Sequence, residues 1–422
     1  MFPLTLIIFF LNSSVAFANI DSGDTAWILT STGLVLLMTL PGLALFYAGM
    51  VQSKNVVSVL SQHFGLACLL SIVWVIIGYT IAFSGDSPFI GNFDRVFLFD
   101  IQNGSAIGTI PEVLFAMFQM TFAIITPALI IGSYVERIKF SVVLIFSALW
   151  LVLVYCPTAH WVWGGGFLSS MGVKDFAGGI VVHTTCGVAS LVVALVLGER
   201  HSFKNGVSIL PNSPVLTMIG ASLLWVGWFG FNGGSALAAD SSASMAILVT
   251  HIAASVGAFT WILIERIRFG KPSLIGMVTG MVAGLATITP ASGFVGVPGG
   301  IILGFLGGSI CYYAVDLIRI KLKIDDSLDV FAVHGVGGIL GTLMCAILMH
   351  SSFSGVGFDE GFNTFTQFIV QLKSVLFVTV YTVIITYLIL KFIMIFSTLR
   401  VSKENERDGL DTTSHGEKGF QN

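Results

Sequence analysis

The sequence predicts an all-α integral membrane protein: eleven transmembrane helices after a cleaved signal peptide, arranged as two inverted five-helix repeats plus an eleventh helix. Three observations predict it. Of the 422 residues, 55% are apolar and only 10% charged, less than half the charge of an ordinary soluble domain. Apolar stretches long enough to cross a hydrocarbon core of about 30 Å recur along the whole chain. Basic residues gather at alternate connections between those stretches. The same composition excludes other classes. With 19 Lys and Arg against 22 Asp and Glu the net charge is -3, so no basic surface exists for nucleic acid. The cysteines Cys68, Cys156, Cys186, Cys311 and Cys345 lie in or beside apolar runs without CxxC spacing, so neither a metal cluster nor a disulfide framework is expected.

The first element is a leader. Leu4 to Leu11 form a short apolar run, Asn12, Ser13 and Ser14 follow, and Ala16-Phe17-Ala18 supplies a small-residue cleavage pattern. Residues 1–18 are therefore expected to be removed, although no Lys or Arg precedes the run. Spans follow at 25–51, 56–83, 112–134, 140–158, 176–198, 214–238, 244–264, 273–290, 299–318, 328–350 and 367–396. Lys54, Arg137, Lys139, Arg200, Lys204, Arg266, Arg268, Lys271, Arg319, Lys321 and Lys323 fall at alternate connections, whereas the opposite ones hold only Arg95 and Lys174. Positive charge marks the cytoplasmic side, so the N-terminus is expected outside and the C-terminus inside. The membrane domain is then 19–399, and 400–422 is a cytoplasmic tail. Its stretch Arg407-Asp408-Gly409-Leu410-Asp411 reads as disordered on composition alone.

An odd number of spans suggests two five-helix halves and one extra helix. Ala123-Ile124-Ile125-Thr126-Pro127-Ala128 in span 3 is echoed by Ala286-Thr287-Ile288-Thr289-Pro290-Ala291 in span 8. Val182-His183 with Gly187 in span 5 is echoed by Val333-His334 with Gly338 in span 10. The members of each pair enter from opposite faces, so the repeat is inverted and the matched features meet near the midplane.

Polar side chains inside such spans are costly and point to function. His183 and His334 sit at matched places with no Glu, Asp or Cys at ligand spacing, which argues against zinc. His251 in span 7 has no such twin and reads as a packing residue. Span 3 puts Phe115, Phe118, Gln119 and Phe122 on one helical face, and span 6 repeats the device with Trp228, Phe231, Asn232 and Ser235 in a glycine-rich segment. Aromatic faces around a hydroxyl suit a small cation, because ring quadrupoles attract it by about 0.5–2 kcal/mol each while Ser accepts a hydrogen bond. Trp161-Val162-Trp163 precedes span 5 on the outer side, where Trp161 reads as an interface anchor. Asp175 opens span 5 and reads first as a helix cap.

At these residues the chain resembles the ammonium transporter, methylammonium permease and Rhesus family, and within it the bacterial AmtB-type members. The matching stretches are DFAGGIVVH from Asp175 to His183, HWVWGGG from His160, GWFGFNGGSA from Gly227, DVFAVHGVGG from Asp329 and the tail ERDGLDTTSHGE from Glu406. The resemblance covers nearly the whole mature chain. It implies a homotrimer in the bacterial inner membrane, each subunit with its own pore for ammonium or ammonia and no cofactor. It also implies that Trp163, Phe122 and Ser235, with Phe118 beside them, form an outer recruitment site, that Phe122 and Phe231 form a stacked phenyl gate, that His183 and His334 line the pore, and that Asp175 is required. The tail is implied to dock a cytosolic PII signalling protein.

The expected activity is thus ammonium transport, in which a cation is recruited, loses its proton and crosses as the neutral amine. The alternative is an ammonium sensor that signals through its tail to PII; no long soluble domain follows Arg400, which favours transport. An intramembrane hydrolase lacks a nucleophile and base in register, so no enzymatic activity is expected.

Overall fold

The computed structural model describes residues 20–101, 104–205 and 210–420; the expected leader and its cleavage after Ala18 lie outside the described residues. Eleven helices in it are long and apolar enough to cross a membrane: Ser22–Met50, Ser53–Phe83, Glu112–Tyr134, Phe140–Ser170, Gly179–Leu197, Pro214–Gly233, Ser241–Phe269, Leu274–Ala291, Val297–Lys321, Phe331–Leu348 and Thr364–Met394. We call them spans 1 to 11. Five of them begin at a side-chain cap. Asp21, Ser213, Asp240 and Ser273 accept hydrogen bonds from the free N–H groups of spans 1, 6, 7 and 8, and Asn363 with Thr366 closes a capping box on span 11.

Spans 3, 5 and 8 are largely buried by their neighbours, whereas much of spans 7, 9 and 11 is exposed and presents apolar side chains such as Phe259, Phe305 and Leu388 outward. Several spans contain π-helical turns, at Met38–Leu43, Trp74–Gly78, Leu151–Tyr155, Gly179–Thr184, Phe229–Gly233 and Phe331–Gly335. Pro41 explains the first, because it has no N–H to give the regular ladder. The π turns of spans 5, 6 and 10 carry His183, Phe231 and His334, and an added residue per turn re-aims such side chains into the middle of the molecule.

Spans 5 and 10 cross with their backbones nearly touching. A Cβ on Gly187 would collide with the backbone of Gly335, and one on Gly338 would collide with the Cβ of His183 and the carbonyl of Gly179. Each glycine thus admits the π turn of the other span, in a reciprocal contact that brings the matched histidines of the two halves together. Small residues are what permit this approach inside a membrane.

The connections that carry the basic residues assemble at one end around a buried ionic cluster. The Arg200 guanidinium meets Glu136 at 2.8 Å and Asp325 at 2.7 Å, and Arg137 donates to the carbonyls of Ser133 and Asp325 at 2.8 Å each. Burial alone would raise the Asp325 carboxyl, but Arg200 and Arg137 hold it below the ordinary carboxylate range. Burial lowers the Arg137 guanidinium to about 10, and its carboxylate neighbours limit the fall.

The tail differs from the compositional expectation of disorder. Its helices Lys403–Asp408 and Leu410–His415 dock on this end. Glu406 accepts from the His201 N–H at 2.7 Å and Asp411 from the Ser58 N–H at 2.8 Å, while the Leu410 N–H donates to Asn55 at 2.8 Å. Free N–H groups at a helix start are ready partners for carboxylates, which gives a polar tail something to fold against.

Replacing Gly187 with Ala is expected to lower the thermal stability of the detergent-purified protein by about 1–3 kcal/mol, the usual cost of forcing extra atoms into a packed core. A melting temperature equal to the parent's would show that the crossing has slack.

Candidate functional site

At the end opposite the tail, a cavity of about 330 Å³ is lined by Phe115, Gln119, Phe122, Trp163, Phe176 and Ser235 among others. Trp163 follows directly on a short helical run, Cys156–Val162, and its indole N–H donates to the Asp175 carbonyl at 2.8 Å, which fixes the ring over the cavity. It meets Phe122 edge-on, with centroids 6.0 Å apart. Ser235 donates its hydroxyl proton to the Phe231 carbonyl at 2.8 Å, so the oxygen's lone pairs are left to accept. Gln119 brings a buried carbonyl oxygen without a protein partner.

Not every expected residue reaches this cavity. Phe118 sits one layer back, fully buried, edge-on to Phe122 at 5.1 Å and against Gly234, so it supports the Phe122 ring rather than lining the space. Asn232 turns away to donate to Thr250 at 2.8 Å. Trp161 is no interface anchor: it is buried, donates to the Phe89 carbonyl at 2.6 Å and packs on Tyr381. His251 lies on the exposed side of span 7, stacked on Trp225.

The floor of the cavity is the ring pair Phe122 and Phe231, centroids 4.3 Å apart and 32° from parallel. Beyond it lies His183, whose ring is 6.2 Å from Phe231 and stacked on Trp228 at 5.5 Å. Trp228 is itself held by an indole hydrogen bond to Thr289 at 2.9 Å, so the threonine of the span 8 echo braces the histidine's stacking partner. His183 and His334 face each other with Nδ1 to Nδ1 at 3.2 Å. In a pair of neutral imidazoles joined this way, one Nδ1 donates and the other accepts, so the two Nε2 atoms must differ, one carrying a proton and the other a lone pair. The Nε2 of His183 is buried and meets no protein partner. His334 lines a second cavity, of about 220 Å³, that opens toward the tail end past Tyr47, Arg319 and Asp329.

Carboxylates stand at the start of both histidine-bearing spans. Asp175 accepts four backbone N–H bonds, from Gly178 at 3.0 Å, Gly179 at 2.5 Å, Ile180 at 2.8 Å and Val181 at 3.1 Å. Burial pushes its carboxyl above the ordinary range, and those four donors oppose the rise. Gly178 makes the turn into the span with φ 116°, a conformation open to glycine. On the other side Asp326 accepts from the Phe331 N–H at 2.7 Å, and burial with the nearby charge of Asp329 pushes it up to about 7. Among the described residues no three His, Cys, Asp or Glu side chains gather to hold a metal ion.

The family model described as the Ammonium Transporter Family matches residues 26–420. A putative ammonium transporter of Methanothermobacter thermautotrophicus is 47% identical over 409 residues, which cover 95% of this chain and 99% of that protein. An ammonium transporter of Bacillus subtilis is 45% identical over 402 residues, 94% of this chain and 98% of that one. Among solved structures, Candida albicans Mep2 superposes with a TM-score of 0.84 at 34% identity, covering 92% of this chain and 88% of that one. A structure described as a sensor Amt protein superposes with a TM-score of 0.87 at 28% identity, covering 93% and 98%.

Asp175→Ala leaves four buried N–H groups without their acceptor and is expected to destabilise the purified protein by more than the ~1 kcal/mol of an ordinary cap. Asp175→Asn keeps one acceptor oxygen and should lose less. Equal melting temperatures for Ala, Asn and the parent would remove the capping role.

Proposed function

The chain belongs to the ammonium transporter family, and we propose that it recruits NH4+ in the aromatic cavity, strips its proton at the phenyl pair and passes NH3 along the histidine-lined path. The observation that carries this reading is the sequence of environments along one line: a cavity of rings and lone pairs, a closed pair of phenyl rings, then two hydrogen-bonded imidazoles in a buried setting. Ammonium transport and a multi-pass membrane location follow from the family; the steps below are our reading.

Trp163 and Phe122 attract any small cation by about 0.5–2 kcal/mol each, and Ser235 adds an acceptor that an ammonium N–H can use. The next step selects. Moving an unpaired ammonium past Phe122 and Phe231 would remove its water at a cost of many kcal/mol, which drives it toward the neutral amine. Potassium matches ammonium in charge but has no proton to shed, so it meets the whole desolvation cost. The imidazole pair can then accept a proton on one side and release another on the other, because each transfer only exchanges the two tautomers. Asp175 contributes fixed negative potential near the cavity while it caps span 5.

In this reading the aromatic cavity faces outside, in accord with the basic residues at the opposite end, and the tail is cytoplasmic in a bacterial inner membrane. We place the protein as a homotrimer with a cytosolic PII protein as partner of the tail end. The docked tail supports the placement of the partner at this end, since its hydrogen bonds to Asn55, Ser58 and His201 set it beside the connections before span 2 and after span 5.

In proteoliposomes on a solid-supported membrane, an ammonium jump should give a transient current and a potassium jump none. Potassium currents as large as those of ammonium would overturn deprotonation as the selective step. Truncation after Arg400 should abolish inhibition by PII; inhibition that persists would put the docking surface wholly on the connections.

A further inference from the structure

Span 11 lies outside the ten helices of the expected repeat, yet it buries two amides on one face, Gln367 and Gln371, both fully buried and four residues apart. A buried amide in an apolar helix is costly unless its polar atoms are matched, and those of Gln371 are matched chiefly to the two backbone groups of one residue, Lys174. Its Oε1 accepts from the Lys174 N–H at 2.9 Å, and its Nε2 donates to the Lys174 carbonyl at 2.6 Å and to the Thr342 carbonyl at 3.1 Å. Only this orientation of the amide pairs donors with acceptors; the flipped one sets like groups against each other. Gln367 supports it, donating to the Gly172 carbonyl at 3.0 Å and toward the Gln371 Oε1 at 3.3 Å.

The residue so gripped immediately precedes Asp175. The Asp175 carbonyl is the acceptor that fixes the Trp163 indole, at 2.8 Å, and the next N–H, of Phe176, donates to the Pro290 carbonyl at 3.0 Å. The segment is therefore held residue by residue, and the grip on its span 11 side is Gln371. We propose that Gln371 is a positioning residue of the recruitment site: by fixing the Lys174 peptide it sets the Asp175 carbonyl, and through that carbonyl the tilt of the Trp163 ring over the cavity. The proposal rests on the reading of Trp163 as a cation-recruiting residue. It gives the eleventh helix a part in substrate affinity that its place outside the repeat would not suggest.

The test is a double-mutant cycle on ammonium-evoked currents from purified protein in liposomes, read as half-saturating concentration and maximal current. Gln371→Leu is expected to raise the half-saturating concentration about five- to tenfold with maximal current within about twofold, and Trp163→Leu to raise it about as far or further. In the Trp163→Leu background Gln371→Leu should add nothing, because the ring it positions is gone. The same rise in both backgrounds would mean that Gln371 only stabilises the fold, and no rise in the parent would overturn the proposal directly. Should the Leu variant not be recovered folded, Gln371→Asn, whose amide is one methylene short of the Lys174 peptide, carries the same criteria. A Trp163→Leu protein with unchanged half-saturation would overturn the recruitment reading itself, and the positioning role with it; a shifted Trp163→Leu beside a silent Gln371→Leu overturns the positioning role alone.

Discussion

The close crossing of spans 5 and 10 is the contact on which the rest of the candidate site depends. Gly187 lies against Gly335 and Gly338 against Gly179 and His183, and only that approach lets two imidazoles on different halves of the chain share a hydrogen bond of 3.2 Å. Side chains larger than hydrogen at these places would separate the helices and leave two isolated buried histidines. The π turns complete the arrangement, since they carry Phe231, His183 and His334, whose ring centroids follow one another at 6.2 and 5.2 Å. Trp228 and Thr289 then hold this series from the side, the indole against His183 and the hydroxyl against the indole.

Spans 5 and 10 begin within the protein, where the free N–H groups of their first turns are buried. Hydrocarbon offers no partner for such groups, so carboxylates supply them: Asp175 on one side with four N–H bonds, Asp326 on the other. In the proposed reading the negative charge that caps span 5 is also a charge near a cation's path. Structural and functional demands therefore fall on the same side chain at Asp175, and the segment around it is pinned from every side, by Trp163, Pro290 and Gln371. At the tail end the same logic is applied with pairs. Arg200 and Arg137 neutralise Glu136 and Asp325 in a buried cluster, where loss of one partner would leave an uncompensated charge worth about 3–5 kcal/mol. The tail joins that end through Glu406 and Asp411, so its conformation is tied to connections that lead directly into spans 2, 5 and 6.

Much of this was legible in the amino-acid sequence. The eleven spans follow from apolar runs and their caps, since length and composition alone decide whether a helix can cross a bilayer. The histidines stood out because a polar group in such a run is anomalous, and their matched surroundings pointed to a shared place. By the same reasoning Gln367 and Gln371, two amides at i and i+4 in an apolar span, carried a signal of the same kind, but nothing in the chain tells which peptide they grip. Helical periodicity put Phe118 and Phe122 on one face without telling which of them would reach the cavity. Trp161 and Trp163 are two residues apart, yet one is packed beneath span 11 and the other faces the cavity, because the helical run ends between them.

The sequence by itself determined the class of solvent, the number and rough ends of the spans, and which polar residues stand inside apolar runs, because each of these is set by local composition and by the energetic cost of polar groups in hydrocarbon. It also carried the glycines without which spans 5 and 10 could not meet. Only the tertiary structure decided the rest: that His183 and His334 join through Nδ1, that Phe118 backs Phe122, that the tail is docked, and that span 11 reaches Lys174. Apart from the Phe118 and Phe122 pair, whose roles are set by what packs around span 3, each of these is a contact between segments distant in the chain, made or excluded by tenths of an ångström in helix approach and by a turn of register at a π segment. Local propensity carries no record of either quantity.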